Sequence, residues 1–299
     1  MDQTGSGAGR DRARPPAADR TNSVNTYPTN DRTSSPVEDF TVLIPARYAA
    51  SRLPGKPLRE VGGAPLVCRV VERAAAAGAR QVAVATDDDR VARAVEAHGG
   101  RAVMTAAECA SGTDRLAEAA AVLGLADDEP VVNVQGDEPF LEPGLIREVA
   151  GALGAAPTRE MATAAHSIGE WATVVDPNAV KVVRDAAGDA LYFSRAPIPW
   201  PREALSRCPG PGEALPAEPP QGFLLHIGIY AYRAGFLRTF ANWAPTPLER
   251  QESLEQLRAL ENGVRLRVVP TKFPPGIGVD TSEDLERANR LWAESGDFS

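Results

Sequence analysis

The sequence is poor in the residues that build disulfide and metal frameworks. Among 299 residues there are three cysteines, Cys68, Cys109 and Cys208, far apart and forming no CxxC pair. An odd, scattered set supports neither a disulfide scaffold nor a zinc site. His98, His166 and His226 show no HExxH-type spacing. No apolar run approaches the roughly 20 residues of a membrane span, and the N-terminus lacks the apolar core of a secretory signal. These absences point to a reducing, cytoplasmic setting. Lysine is scarcer still in proportion, since of 32 basic residues only Lys56, Lys181 and Lys272 are lysines. Where arginine serves, this chain uses arginine, so a retained lysine marks a place that needs a compact ammonium. With 40 acidic residues the formal net charge is −8, which argues against a nucleic-acid coat or a membrane-surface binder.

What is there is a patterned chain behind an unpatterned start. Residues 1–37 are polar with few apolar groups and read as a disordered extension, ahead of a folded region at 38–299. Gly5, Gly7 and Gly9 echo a dinucleotide fingerprint but follow no strand, so they carry no weight. From Phe40 onward, strands are expected at 40–44, 81–85, 102–105 and 131–134. Helices are expected at 64–77, 87–98, 113–123 with Thr113 as cap, and 143–153 with Pro143 in the first turn. Such alternation predicts βαβ units, hence an α/β fold with a mostly parallel sheet. The second half predicts strands at 162–166, 179–184, 190–194, 224–232 and 264–269. It also predicts a Pro-rich surface loop at 197–222, one helix at 247–262 and a capped terminal helix at 282–293.

In an open α/β sheet, ligands bind beyond the carboxyl ends of the strands. Four loops there carry chemistry. The first, Ile44 to Leu58, holds Arg47, Arg52 and Lys56 around the turn Pro54-Gly55, cations suited to a polyphosphate. It is not a Walker A loop, because Pro57 follows Lys56. The second, Asn133 to Pro139, puts Asp137 just past a buried strand, where a carboxylate suits either a hard cation or a helix N-cap. The third, Gly276 to Asp284, offers Asp280, which would complete a two-carboxylate magnesium site with Asp137 or merely belong to a helix start. The fourth, Ala110 to Arg115, has small hydroxyls and a glycine able to line a base pocket.

These runs together resemble one family. Ile44 to Leu58, Ala85-Thr86-Asp87, Ser111-Gly112-Thr113-Asp114-Arg115 and Val132 to Pro139 are similar to the 3-deoxy-manno-octulosonate (Kdo) cytidylyltransferases. So are Asn178 to Val183, Leu191 to Ala196, His226 to Tyr230, Leu254 to Arg258 and Gly278 to Thr281, so that the likeness runs from about Phe40 to Trp292. The resemblance implies a nucleotidyltransferase α/β fold whose second half, about 160–235, makes an acceptor-side excursion that also builds a homodimer. The implied reaction is CTP plus Kdo giving CMP-Kdo and pyrophosphate, with Mg2+. Ala46, Arg47, Arg52, Lys56, Ser111, Arg115 and Asp137 would meet the nucleotide. Asp137 and Asp280 would hold the metal, and Gln135, Arg195, His226, Tyr230, Glu255 and Gln256 would face the acceptor. Of Glu255 and Gln256, one is expected to be solvated, because adjacent helix positions point apart. Lys181 is expected only to flank the site, and Lys272 to lie on the surface.

Other readings share parts of this pattern. Groups that grip a carboxylate also grip a phosphonate, so the same CTP chemistry on another 2-keto-3-deoxy sugar acid, or on a small phosphonate such as phosphonoformate, stays open. A metal-dependent glycosyltransferase would call for a DxD pair, and here Glu138-Pro139 follow Asp137. A silent nucleotide-binding protein would be signalled by loss of Lys56, Asp137 or Asp280, and all three are present.

Overall fold

Buried β-branched residues open the fold. The run Thr41–Ala46 forms strand β1, enclosed on both faces as the centre of a parallel sheet requires. The structure, a computed structural model, describes residues 39–50, 52–202 and 218–295. The expected disordered extension, Cys208 and most of the loop expected at 197–222 lie outside the described residues.

After β1 come a 3-10 turn, Lys56–Leu58, and a short hairpin of β2 (Glu60–Val61) and β3 (Ala64–Pro65). Gly62 and Gly63 turn this hairpin at φ 57° and 80°, the left-handed pair that a tight two-residue loop demands. Then follow α1 (Leu66–Ala76), β4 (Gln81–Thr86), α2 (Asp89–Ala97), β5 (Arg101–Met104), α3 (Gly112–Val122), β6 (Pro130–Asn133) and α4 (Pro143–Gly154). The second half holds β7 (Met161–Ser167), α5 (Trp171–Val175), β8 (Lys181–Arg184), β9 (Ala190–Ser194), β10 (Leu224–Arg233), α6 (Ala234–Ala241), α7 (Pro247–Glu252), α8 (Gln256–Glu261), β11 (Leu266–Pro270) and α9 (Ser282–Ser295).

The main sheet runs β11-β7-β10-β6-β1-β4-β5, and along it only β10 is inverted. The mostly parallel α/β sheet expected from the alternation is therefore present. The hairpin β8–β9 hangs off this path, β8 pairing with β10. One face of the sheet packs apolar side chains of α1, α2 and α4, including Val70, Val95 and Leu145. The other packs α3, α6 and α8 through Leu116, Phe240 and Leu257. Two helical layers enclosing a shared sheet leave the strand ends as the open surface.

The sequence reading departs from the structure in a few places. The helix expected over 247–262 is broken in two, because Ser253 takes the left-handed conformation at φ 53°. Helix α6 starts directly from β10 with Gly235 near its start, where an added Cβ would come within 3.0 Å of Asp127, so packing overrides a poor helix former. The cap of α3 is Ser111, not Thr113: Ser111 accepts from the Asp114 amide while Asp114 accepts from the Ser111 amide.

Candidate active site

The loops that leave β1, β6 and β11 meet at the carboxyl edge of the sheet. Lys56 Nζ donates to Asp137 Oδ2 at 2.7 Å and to Asp280 Oδ1 at 3.0 Å. Arg52 adds a third cationic contact, to Asp280 Oδ2 at 3.1 Å. The two carboxylate loops are also joined through the backbone, the Val279 amide donating to the Asp137 carbonyl at 2.9 Å. Gly136 lets the Asp137 loop lie close against β1, since a Cβ there would stand 2.7 Å from the Pro45 carbonyl oxygen. Neither aspartate serves as a helix cap. The N-cap of α4 is Glu142. Ahead of α9, Thr281 and Asp284 cap one another, Thr281 Oγ1 accepting from the Asp284 amide at 3.1 Å and Asp284 Oδ2 from the Thr281 amide at 2.9 Å.

The electrostatics of this cluster favour charge. Burial works against the Lys56 ammonium, but Asp137 and Asp280 outweigh it and hold its pKa above the usual lysine value. Burial, helped by the Asp137 charge, pushes Glu138 up to about 7. Among the described residues no group of three or more His, Cys, Asp or Glu forms a cation cage. Mg2+, however, is commonly held by one or two carboxylates with substrate phosphates and water completing its shell. The Lys56 ammonium marks the point where the Asp137 and Asp280 oxygens converge on positive charge, so the pair fits such an ion.

Beside this cluster, β1 ends at buried Ala46 and passes to exposed Arg47, which donates to the Cys109 carbonyl at 2.8 Å. Arg47 thereby ties the first loop to the loop carrying Ser111. Arg115 requires a correction. Its side chain is fully enclosed, paired with Asp87 at 2.9 Å and Thr105 Oγ1 at 2.5 Å, so it braces the ends of β4 and β5 and does not reach a nucleotide directly.

Two of the residues expected to face the acceptor, His226 and Tyr230, lie on β10. Its pairing with β7 slips between Ile227 and Tyr230, a bulge of the kind that re-aims side chains. Thr163 fills the irregularity: its hydroxyl is 2.7 Å from the Ile229 carbonyl, to which it donates, and 3.0 Å from His226 Nε2. With the hydroxyl hydrogen so used, His226 donates from Nε2, a tautomer assigned from the network. His226 lies edge-on to Phe193 at 4.9 Å and 5.5 Å from Tyr230. Burial lowers its pKa to about 3 and raises that of Tyr230. Gln135 stands half-buried two residues past the end of β6, and Tyr230 pairs in register with Asn133.

Gln256 is buried and Glu255 is half-buried, its side chain 35% exposed, where the sequence reading expects one of the two to be solvated. The break at Ser253 sets Glu255 just before α8 rather than midway along a continuous helix. Thr113 Oγ1 donates to Glu255 Oε2 at 2.6 Å, across 142 residues of sequence. Burial raises the Glu255 pKa, opposed by Thr113, Arg258 and Ser111. Glu255 Oε1 and Gln256 Nε2 are buried without a hydrogen-bond partner, the former 3.6 Å from the Arg258 guanidinium. Arg195 is half-buried, its Nε donating to the Glu252 carbonyl at 2.7 Å and a terminal nitrogen to the Pro177 carbonyl at 2.9 Å. Glu252 was not singled out by the sequence, yet its carboxylate accepts from Ser194 Oγ at 2.6 Å and the Arg195 amide at 3.0 Å. Thr163 and Glu252 have no signal of their own in the chain, since their partners lie 63 and 58 positions away. Lys272 is exposed, as expected.

The chain is similar to known proteins over most of its length. The cytidylyltransferase family model matches residues 41–266. A 3-deoxy-manno-octulosonate cytidylyltransferase from Idiomarina loihiensis is 52% identical over 252 residues, 84% of this chain and 98% of that protein. Among solved structures, a CMP:2-keto-3-deoxy-manno-octonic acid synthetase complexed with CTP superposes with a TM-score of 0.76 at 41% identity, over 87% of this chain and 100% of the other. A nucleotidyl transferase from Methanothermobacter thermautotroptrophicus, 15% identical with a TM-score of 0.54 over 86% of this chain and 99% of its own, shares the fold. The chain belongs to the cytidylyltransferase family, among the 3-deoxy-manno-octulosonate cytidylyltransferases.

Proposed function

We propose that this CTP-dependent nucleotidyltransferase moves CMP from CTP to Kdo, giving CMP-Kdo and pyrophosphate. The observation that carries the reading is 52% identity, over nearly the whole of the relative, to a 3-deoxy-manno-octulosonate cytidylyltransferase. The site supports it with the anion-binding cluster of Arg52, Lys56, Asp137 and Asp280. Glu255 and Gln256 add to that support. A carboxylate oxygen and an amide nitrogen without hydrogen-bond partners suit the hydroxyls of a sugar acid, whereas a carboxylate facing a phosphonate dianion would repel it.

The chemistry requires two anions to approach each other. Asp137 and Asp280 would hold Mg2+, which when bound neutralises the α-phosphate and lowers the pKa of a coordinated hydroxyl. The Lys56 ammonium would meet the β- and γ-phosphates, where charge builds as pyrophosphate departs. Arg47 and Arg52 line the same loop and would bind the outer phosphates. The Ser111 loop would receive the nucleoside. Arg195 and neutral His226 would orient the acceptor carboxylate, with Gln135, Tyr230, Glu255 and Gln256 placing its hydroxyls. Alignment of the acceptor oxygen with the leaving group would supply much of the rate.

A homodimer is part of this reading, supported by the exposed apolar side chains of Val175, Leu191 and Trp200 around the β8–β9 excursion. No helix among the described residues is long and apolar enough to cross a membrane, which accords with a cytoplasmic enzyme. The test is pyrophosphate release from CTP with Kdo, sialic acid, phosphonoformate and simple phosphonates compared side by side. Kdo should give the highest kcat/KM, and a higher value for phosphonoformate would overturn the choice of acceptor.

A further inference from the structure

Lys181 is one of only three lysines in the chain, and nothing above gives it a task. Its side chain is fully buried. All its donors go to backbone carbonyls: Asp176 at 2.7 Å, Ala179 at 2.5 Å and Arg195 at 2.7 Å. Burial lowers its pKa, while Asp176 and Glu252 support its charge. A buried ammonium with no carboxylate in hydrogen-bond contact is costly unless its three protons are all used.

The carbonyls it gathers belong to the acceptor side. The Arg195 carbonyl is that of the arginine placed to hold the acceptor carboxylate. The segment from Asp176 to Ala179 includes Pro177, whose carbonyl accepts from the Arg195 guanidinium at 2.9 Å. The His226 amide donates to the Val180 carbonyl at 2.8 Å, next to Lys181 itself. One short stretch therefore touches both cationic or polar groups that would meet the carboxylate, and the Lys181 ammonium closes it onto the end of β9.

We infer that Lys181 is a positioning residue for the acceptor: its ammonium sets the path of the chain at Asp176–Ala179 and Arg195, and so fixes where the Arg195 guanidinium and His226 stand relative to one another. An arginine cannot replace it, because three carbonyls converge on a single nitrogen and a planar guanidinium spreads its donors over a fork. The inference rests on the acceptor reading above, with Kdo as the substrate probe.

The experiment compares wild type with Lys181→Met and the milder Lys181→Gln, measuring KM for Kdo, KM for CTP, kcat and the thermal unfolding midpoint. KM for Kdo should rise about tenfold in Lys181→Met, the scale of one lost hydrogen bond to a charged group, and less in Lys181→Gln. KM for CTP should stay within about twofold, because the triphosphate cluster lies on other loops. An unchanged KM for Kdo in either folded variant overturns the inference, as does equal loss of CTP and Kdo binding. Failure of both variants to fold also contradicts it, assigning Lys181 to the core instead. Absence of turnover with Kdo in wild type would be a failure of the acceptor reading and not of this one.

Discussion

Lys56 donates to Asp137 at 2.7 Å across 81 residues of sequence. The same ammonium reaches Asp280, 224 residues away, at 3.0 Å. One lysine thus holds together the carboxylates proposed for Mg2+, and each loop at the sheet edge depends on the other two.

Competition for those carboxylates gives the first prediction. Lys56→Met should lower kcat about 10²–10³-fold, the usual loss when one donor to transition-state charge is removed. In the absence of nucleotide the same variant should bind Mn2+ more tightly than wild type, because the ammonium no longer occupies both carboxylates. Steady-state kinetics and a Mn2+ titration followed by electron spin resonance check the two halves. Weaker Mn2+ binding would contradict the proposed metal site.

Gly136 carries a steric prediction. A methyl group there would meet the Pro45 carbonyl oxygen at 2.7 Å, a backbone atom that cannot swing aside. Gly136→Ala should cost about 1–3 kcal/mol of stability, as overpacking does, and should lower kcat by separating the first loop from Asp137. Urea denaturation and pyrophosphate release measure both effects.

Thr113 supplies a third. Its hydroxyl holds Glu255 at 2.6 Å. Thr113→Val removes a hydrogen bond to a charged group, worth about 1.5–3 kcal/mol, and should raise KM for Kdo about tenfold or more. Thr113→Ser keeps the hydroxyl and should stay near wild type. Equal KM values for the Val and Ser variants would show that the hydroxyl does nothing for the acceptor.

His226 predicts a pH dependence. Burial depresses its pKa from 6.5 to about 3, so between these values the unfolded chain binds the proton and the folded chain does not. Stability from this group is therefore fully present above about pH 6.5 and is lost as pH falls toward 3. His226→Gln should flatten that part of the stability curve, measured by urea midpoints from pH 4 to 7. The imidazole is neutral at physiological pH, so the acid limb of the rate profile above pH 5 should survive the substitution.

Much of this molecule was readable from its residues, for identifiable reasons. The parallel strands declare themselves as short apolar runs, and the parallel pairing of β1 with β4 and β6 puts their following loops on one edge. That rule singles out Lys56 after β1 and Asp137 after β6, and the parallel pairing of β11 with β7 adds Asp280. Side-chain direction was less accessible. Arg115 lies in the same motif as Ser111, yet an enclosed ion pair with Asp87 turns it inward. The left-handed Ser253 has no mark in the hydrophobic pattern, which reads straight through it, and this break is what sets Glu255 just before α8. The Thr113–Glu255 contact joins chain segments that local periodicity cannot relate, whereas Lys181 and Arg195 meet across the hairpin that the turn Asp185–Asp189 suggests.

The most direct measurement follows the α-phosphorus of CTP. Wild-type protein incubated with CTP labelled there, Kdo and Mg2+ should place the label in CMP-Kdo, one for each pyrophosphate released. A chelator should stop the transfer, and Asp137→Asn, folded as judged by its circular dichroism, should yield no labelled sugar. Pyrophosphate released without label in the sugar, or transfer by Asp137→Asn at the wild-type rate, would contradict the account.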